Sequence, residues 1–373
     1  MSEVLAALDT AGTADAVAVR CGPDGEATIA QGWTANTVVD VASITKLAAT
    51  TLVAARLVAE GTLTLDQPVP EALDLRGPGV DGVTLRHLLT HRSGYADWLP
   101  LMLWASDRNG ALAAIAAMSR PDPVATVTRY SDIGMMLAGA VVEAVGDASL
   151  DVLFMTHVAG PLALDASGYR PPSHLPLASC GAGNPAERLL IAQRHPELRG
   201  AAPAGGWRTS TPPGEVDDAN AHHGFGGVAG HAGLFASAAD LARLGRALAA
   251  GVRDGDAPDG WHVPGWLPAQ LLNEWTTPGP DARFGIGAWT ARRSGLADPT
   301  AEQGPGAGDA AHPDDRSFGH RGFTGCELLV DPDACRVAVL VSSRLVGSPT
   351  PRDHHGPWRA VRDWAGLGPL RRG

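Results

Sequence analysis

The stretch VASITKLAATTLVAARLVAEG, Val41–Gly61, decides how the rest of the chain is read. From Leu47 to Ala55 it carries no charge, and its Leu, Val and Ala content predicts a buried helix over 43–60 that stops at Gly61. Near the start stands Lys46, the only lysine in 373 residues; the other 28 of the 29 basic residues are arginine. Ser43 precedes it by three positions, and residues i and i+3 of a helix share a face. A serine hydroxyl is a poor nucleophile until something takes its proton. A neutral lysine amine can do that, and burial favours the neutral form. Arginine cannot, because it does not deprotonate in proteins. One lysine kept in an arginine-rich chain, beside a serine at a helix start, therefore reads as a nucleophile with its general base.

The bulk composition is that of an ordinary globular chain, 45% hydrophobic and 18% charged. A net charge of −11, with scattered arginines, argues against nucleic acid and anionic membrane as partners. The opening MSEVLAALDTAG carries Glu3 and Asp9 and lacks a basic start followed by an apolar run, so no signal peptide is expected. Cys21, Cys180, Cys326 and Cys335 show no CxxC spacing and read as reduced thiols. A cytoplasmic location follows as an expectation.

Strand signals lie at both ends of the chain. Residues 15–32 read as a hairpin turning at GPDGE, 284–293 as a strand, and 327–343 as a hairpin turning at DPDA. Helices are expected at 84–94, 111–119, 133–146 and 358–367, and over 237–251, where Ser237 is the cap. Residues 171–227, rich in Pro, Gly and Ala, are expected to form long ordered loops at a substrate rim, with Trp207 a candidate there. Residues 296–316 read as a Gly/Pro/Asp-rich insertion. The simplest architecture is an α/β domain built from 1–60 and 231–373, with a mostly helical domain, 61–230, inserted.

Two further stretches carry polar residues. In RYSDIGMM, Tyr130 stands two residues before Asp132, where Ser131 or Asp132 can cap the helix and the phenol can shuttle a proton. In SFGHRGFTGCELL, three glycines in a strand suggest close backbone approach, with His320 a donor facing it. Asp217, Asp218, His222 and His223 fit no common zinc pattern, so no metal is expected. His91 reads as structural, closing a helix end. There is no G-x-S-x-G elbow, and Gly306-x-Gly308-x-x-Ala311 lacks the preceding strand of a dinucleotide fingerprint, so no cofactor is implied.

Taken in order, Ser43-x-x-Lys46, Tyr130-x-Asp132 and His320-x-Gly322 resemble the three motifs of the penicillin-recognising serine hydrolases: class C β-lactamases, D-Ala-D-Ala carboxypeptidases and family VIII carboxylesterases. LTLDQPV, LRHLLTHRSG and GGVAGHAGLFASAADLARL are similar to the supporting stretches of that superfamily, so the resemblance spans nearly the whole chain. It implies an antiparallel sheet flanked by helices, an inserted helical domain, and a site between them. It further implies Ser43 as the acylated nucleophile, Lys46 as its base, Tyr130 as the proton donor to the leaving group, and an oxyanion hole from the N–H groups of Ser43 and Phe323. Asp132 stands where asparagine is common, and an acid there would raise the lysine pKa. His320-Arg321-Gly322 replaces the frequent Lys-Thr-Gly that holds a substrate carboxylate. Arg321 can compensate only in part, since strand alternation points it away from His320. The expected substrate is a small ester or amide. A D-peptide, a β-lactam, acyl transfer or a non-turnover acyl sensor are the alternatives.

Overall fold

The structure, a computed structural model, describes residues 2–254, 256–277, 279–280, 284–290, 316–348 and 350–367. Its helices are α1 (Ser2–Thr10), α2 (Leu52–Ala59), α3 (Val69–Leu73), α4 (Leu85–Leu89), α5 (Arg108–Ala117), α6 (Asp132–Gly146), α7 (Leu150–Phe154), α8 (Gly160–Leu162), α9 (Pro185–Arg194), α10 (Ala219–Phe225), α11 (Ala238–Val252), α12 (Ala269–Thr276) and α13 (His355–Trp364). The strands are β1 (Ala16–Gly22), β2 (Gly25–Gln31), β3 (Val38–Asp40), β4 (Gly168–Tyr169), β5 (Leu234–Ser237), β6 (Trp289–Thr290), β7 (Phe318–Arg321), β8 (Glu327–Asp331) and β9 (Arg336–Ser342).

Six strands form one antiparallel sheet in the order β2-β1-β9-β8-β7-β6. Both ends of the chain thus meet at its centre, where Ala16 faces Ser342 and Cys21 faces Val337. Period-two alternation divides the two faces. Val17, Val19, Val337, Val339 and Val341 join the main core with α11, while Ala16, Ala18, Ala338 and Leu340 pack with Val4, Leu8, Trp358 and Val361 of α1 and α13. A smaller sheet, β3-β5-β4, carries the chain from the main core into the Ser43 turn. The fold is the mixed, antiparallel-sheet architecture that the sequence pattern predicts, with α3 to α10 all drawn from residues 69–225.

Several details differ from the sequence reading. The helix read as one piece over 43–60 starts one residue later, at Ile44, and runs as a π-helix over Lys46–Thr51 before becoming regular. Segments of this kind interrupt α-helices most often at functional sites. The 171–227 segment is less loop-like than expected, for it contains α9 and α10. The strand expected at 284–293 is only two residues long within the described part; residues 291–293 of that reading lie outside the described residues, as does the 296–316 insertion except for Arg316. Among the described residues, no single helix is long and apolar enough to cross a membrane; α6 and Leu150–Leu162 would pass together by length and composition, but they bend by 76° and α6 is core.

Candidate active site

Ser43 sits in the turn between β3 and the π-helix. Ala42, just before it, has φ +48°, a left-handed conformation that a residue with a side chain adopts only at a cost. The turn tightens through successive i→i+3 bonds, Ile44 N–H to Val41 O, Thr45 N–H to Ala42 O and Lys46 N–H to Ser43 O. This places the Lys46 amine beneath the hydroxyl. Nζ donates to Ser43 Oγ at 2.7 Å and to the His231 carbonyl at 3.0 Å, and it pairs with Asp132 Oδ1 at 2.8 Å. All three ammonium donors are therefore engaged, and Lys46 is 1% exposed.

The charge state of Lys46 departs from the first expectation. Burial alone pushes the amine towards neutrality, as the sequence argument holds. Asp132 and then Tyr130 outweigh it, so the pKa ends above its ordinary value. At rest Lys46 is an ammonium ion paired with a carboxylate, which is the consequence anticipated for aspartate at position 132.

Tyr130 enters from the segment before α6. Ser131, not Asp132, supplies the cap, accepting from Gly134 N–H at 3.2 Å. The phenol ring packs among His91, Trp289, His320 and Phe284, with centroids 4.8, 5.5, 6.0 and 6.5 Å away. Its hydroxyl is buried without a hydrogen bond of good geometry among the described residues, and Lys46 lies over the ring at 5.1 Å. Burial raises the phenol pKa, and the nearby Lys46 charge lowers it only in part. Tyr130 therefore rests protonated, its hydroxyl beside Lys46 and Ser43.

His320 is brought to the same group but not as expected. The Trp289 indole N–H donates to Nε2 at 2.9 Å, which leaves Nδ1 to donate to the Arg321 carbonyl at 2.7 Å. Both ring nitrogens are thereby occupied. Burial, then the Lys46 charge, hold the ring well below its ordinary pKa. So His320 is a neutral wall against Tyr130 and not a donor facing a ligand. Arg321, proposed for the rim, is 7% exposed on the opposite face of the sheet. It bonds Glu327 at 3.0 Å, directly across the strand pair, and stacks on Trp358 at 4.1 Å. Alternation along β7 is the reason. Trp207 packs on a small apolar cluster with Met102, Ile191 and Ala219, and donates its indole N–H to Ala201 O at 2.9 Å.

Gly322 and Phe323 follow β7 and form the turn facing Ser43. A Cβ on Gly322 would lie 2.4 Å from the Val41 carbonyl oxygen, so only glycine lets this turn reach the serine turn. The 230–231 backbone, whose carbonyls accept from Thr50 and Lys46, is squeezed in the same way: a Cβ on Gly230 would lie 2.1 Å from Met135 O.

Sequence reasoning missed two supports, His231 and Asp40, and read a third, His91, only as structural. His91 accepts from Ser131 N–H at 3.2 Å and stacks on Tyr130, kept neutral by burial with its pKa pushed down to about 3. His231 shares a 3.0 Å bond with Asp218 Oδ1, and its carbonyl holds Lys46. Burial works to raise the Asp218 pKa, but His231, the Ala221 N–H and Lys46 bring it down to about 2. Asp40, buried at the end of β3, receives N–H bonds from Ala42 and Asp217, both at 2.8 Å. Its signal was within reach, an aspartate three residues before the serine. Asp217 and Asp218, which fit no common zinc pattern in the sequence, are tied into this framework: Asp217 accepts from Thr211 Oγ1 at 2.7 Å and Asp218 caps α10 at Ala221. Among the described residues no group of three or more His, Cys, Asp or Glu could hold a metal.

A buried lysine is thus bonded to a serine at a helix start, with a tyrosine ring beside the pair. The family model described as Beta-lactamase matches residues 5–361, and the chain belongs to that family. Its curated relatives include a putative D-alanyl-D-alanine carboxypeptidase of Escherichia coli K12, 29% identical over 332 residues, which cover 83% of this chain and 70% of that one. Among solved structures, SurE with D-Leu superposes with a TM-score of 0.66 at 20% identity, covering all of this chain and 76% of that one. EstCE1, described as a hydrolase with promiscuous acyltransferase activity, gives 0.66 at 18% identity, covering 98% and 96%. The family, the carboxypeptidase relative and EstCE1 are hydrolases. At 18–20% identity the structures speak for the fold alone.

Proposed function

We propose that this chain is a serine hydrolase that cleaves a small carboxylic ester or amide through an acyl-Ser43 intermediate. The observation that carries it is the 2.7 Å bond between Lys46 Nζ and Ser43 Oγ, inside a buried group that holds Tyr130 and Asp132.

The resting charge of Lys46 sets the order of proton movements. Moving one proton from Nζ to Asp132 Oδ1 gives a neutral pair and a free amine. As Ser43 Oγ attacks the substrate carbonyl, that amine takes the hydroxyl proton, and the carbonyl electrons move to oxygen between the N–H groups of Ser43 and Phe323. When the intermediate collapses, the bond to the leaving group breaks and Tyr130 supplies it with a proton, replaced from Lys46. Water then repeats the sequence on the acyl-serine and releases the acid.

The residues of the three motifs are our reason for placing an ester or a simple amide ahead of a C-terminal peptide. A carboxypeptidase reading takes its support from the name of the Escherichia coli relative, and it needs a cation to receive the terminal carboxylate. Here Arg321 is held by Glu327 on the far face, His320 is neutral, and Lys46 is paired with Asp132.

Labelling with a fluorophosphonate probe, read by intact mass, tests the nucleophile. One adduct on the wild-type protein, absent from Ser43→Ala, is the expected result, and turnover of short-chain activated esters should vanish in Lys46→Arg although the charge is kept. An adduct that persists in Ser43→Ala, or full activity in Lys46→Arg, overturns the assignment.

A further inference from the structure

Beneath the Ser43 turn, one buried residue is joined to that turn and to three distant segments. Asp40 is 2% exposed. Its Oδ1 accepts from the Ala42 N–H and its Oδ2 from the Asp217 N–H, each at 2.8 Å. Its backbone carbonyl accepts from Thr324 Oγ1 at 2.9 Å and from the Cys180 thiol at 3.2 Å. The four partners lie in different places: Ala42 immediately before the nucleophile, Thr324 immediately after Phe323, Cys180 in the segment running beside β3, and Asp217 at the entry to α10. The acceptor for the Ala42 N–H matters most. Ala42 is left-handed at φ +48°, which a residue with a Cβ disfavours, and a bond from the side chain two positions back holds it there. That conformation aims Ser43 at Lys46.

We propose that Asp40 is a positioning residue for acylation: its carboxylate fixes the strained Ala42 turn that presents Ser43, and its carbonyl fixes the 322–325 turn that presents the Phe323 N–H. One rigid residue thereby sets the distance between the nucleophile and the donors that receive the oxyanion, a distance on which rate depends steeply. The proposal rests on Ser43 being the acylated residue.

Asp40→Asn is the informative change. The amide keeps one acceptor and turns a donor towards the other N–H, so the carboxylate can no longer serve both partners. The rate of fluorophosphonate labelling and kcat for an activated ester should fall by roughly 10- to 100-fold with KM nearly unchanged. Adding Ala42→Gly should recover a part of that loss, because glycine adopts the left-handed turn without the clamp. Thr211→Val loosens the same Asp217 segment without touching Asp40, and it should lower the melting temperature and leave kcat alone. Wild-type acylation rates in Asp40→Asn overturn the proposal. So does a loss that Ala42→Gly fails to relieve and that Thr211→Val matches, since that pattern means general loosening. Should Asp40→Asn not fold, Thr324→Val removes only the hydroxyl bond to the Asp40 carbonyl and must still slow acylation; a wild-type rate there also overturns it. Wild-type protein labelled at a residue other than Ser43 would instead defeat the underlying functional reading.

Discussion

Gly322→Ala asks how closely two pieces of backbone must approach for this site to work. The added Cβ would stand 2.4 Å from the Val41 carbonyl oxygen and 3.4 Å from the Ala42 Cβ. Neither obstacle is a flexible side chain that can swing aside. Relief of the contact needs roughly 1 Å of separation between the 322–323 turn and the Ser43 turn. An error of that size at a reacting centre costs about 100-fold, and full loss of one oxyanion donor costs about 3–4 kcal/mol of transition-state stabilisation. The expected fall in kcat/KM is therefore about 10²- to 10³-fold. Stability should drop by only about 1–3 kcal/mol, the usual penalty for overpacking. Steady-state hydrolysis of a p-nitrophenyl ester gives the first number and urea unfolding followed by circular dichroism the second. A variant that keeps its fold and stays within about threefold of wild-type kcat/KM would refute the reasoning, because the turn would then not need the closeness on which the oxyanion argument depends.

Three other changes probe the charges. Asp132→Asn removes the carboxylate that raises the Lys46 pKa, so burial should prevail and the acid limb of the kcat/KM profile should move to lower pH; an unmoved limb would show that Lys46 does not set it. Arg321→Ala leaves Glu327, 1% exposed, as a buried charge without its strand partner, and should cost about 3–5 kcal/mol in urea unfolding while KM changes little; a raised KM with intact stability would return Arg321 to the substrate rim. Glu187, which accepts from Ala219 N–H and Asn184 and faces Asp217 and Asp218, is pushed up to about 8 by burial and then by those two carboxylates. Its folded pKa lies above the unfolded value of 4.5, so the unfolded chain loses its proton first and stability declines as pH rises from 4.5 to about 8. Glu187→Gln should melt progressively higher than wild type across that window; parallel melting curves would show that the carboxyl is not held protonated.

Much of this was legible in the sequence because its signals are local. Alternation placed β1, β2, β8 and β9, and i, i+3 spacing placed Lys46 under Ser43. Alternation also turned Arg321 away from His320 before its partner Glu327 was known. What escaped depends on contacts between distant segments. The indole of Trp289, 31 residues before His320, fixes the imidazole tautomer and removes the donor that the motif suggested. The raised pKa of Lys46 depends on Asp132, 86 positions away, beating the desolvation that a reading of 41–61 alone would trust. Asp40 lay one residue before the quoted stretch, yet its importance is invisible until Asp217 and Thr324 fold back against it. The π-helical start of α2 likewise has no mark in composition, since its alanines and threonines suit either helix.

The placement of β1 beside β9 has a bearing on how the molecule comes to exist. Ala16 must find Ser342, and each of the six pairs in that central ladder spans more than 300 positions. Loop-closure entropy of that kind is met late, and folds dominated by such pairings assemble slowly. During synthesis the β1–β2 hairpin and the Ser43 helix leave the ribosome long before β9, with one strand edge open and a valine-rich face uncovered. The edge remains a template for other strands until β9 arrives. If Asp40 positions Ser43 as proposed above, the serine is fully aimed once Thr324, 284 positions further along, reaches Asp40. On that proposal a nascent or truncated product lacking β7 to β9 is inactive, and a slow, chaperone-sensitive final step in refolding is the kinetic signature of that dependence.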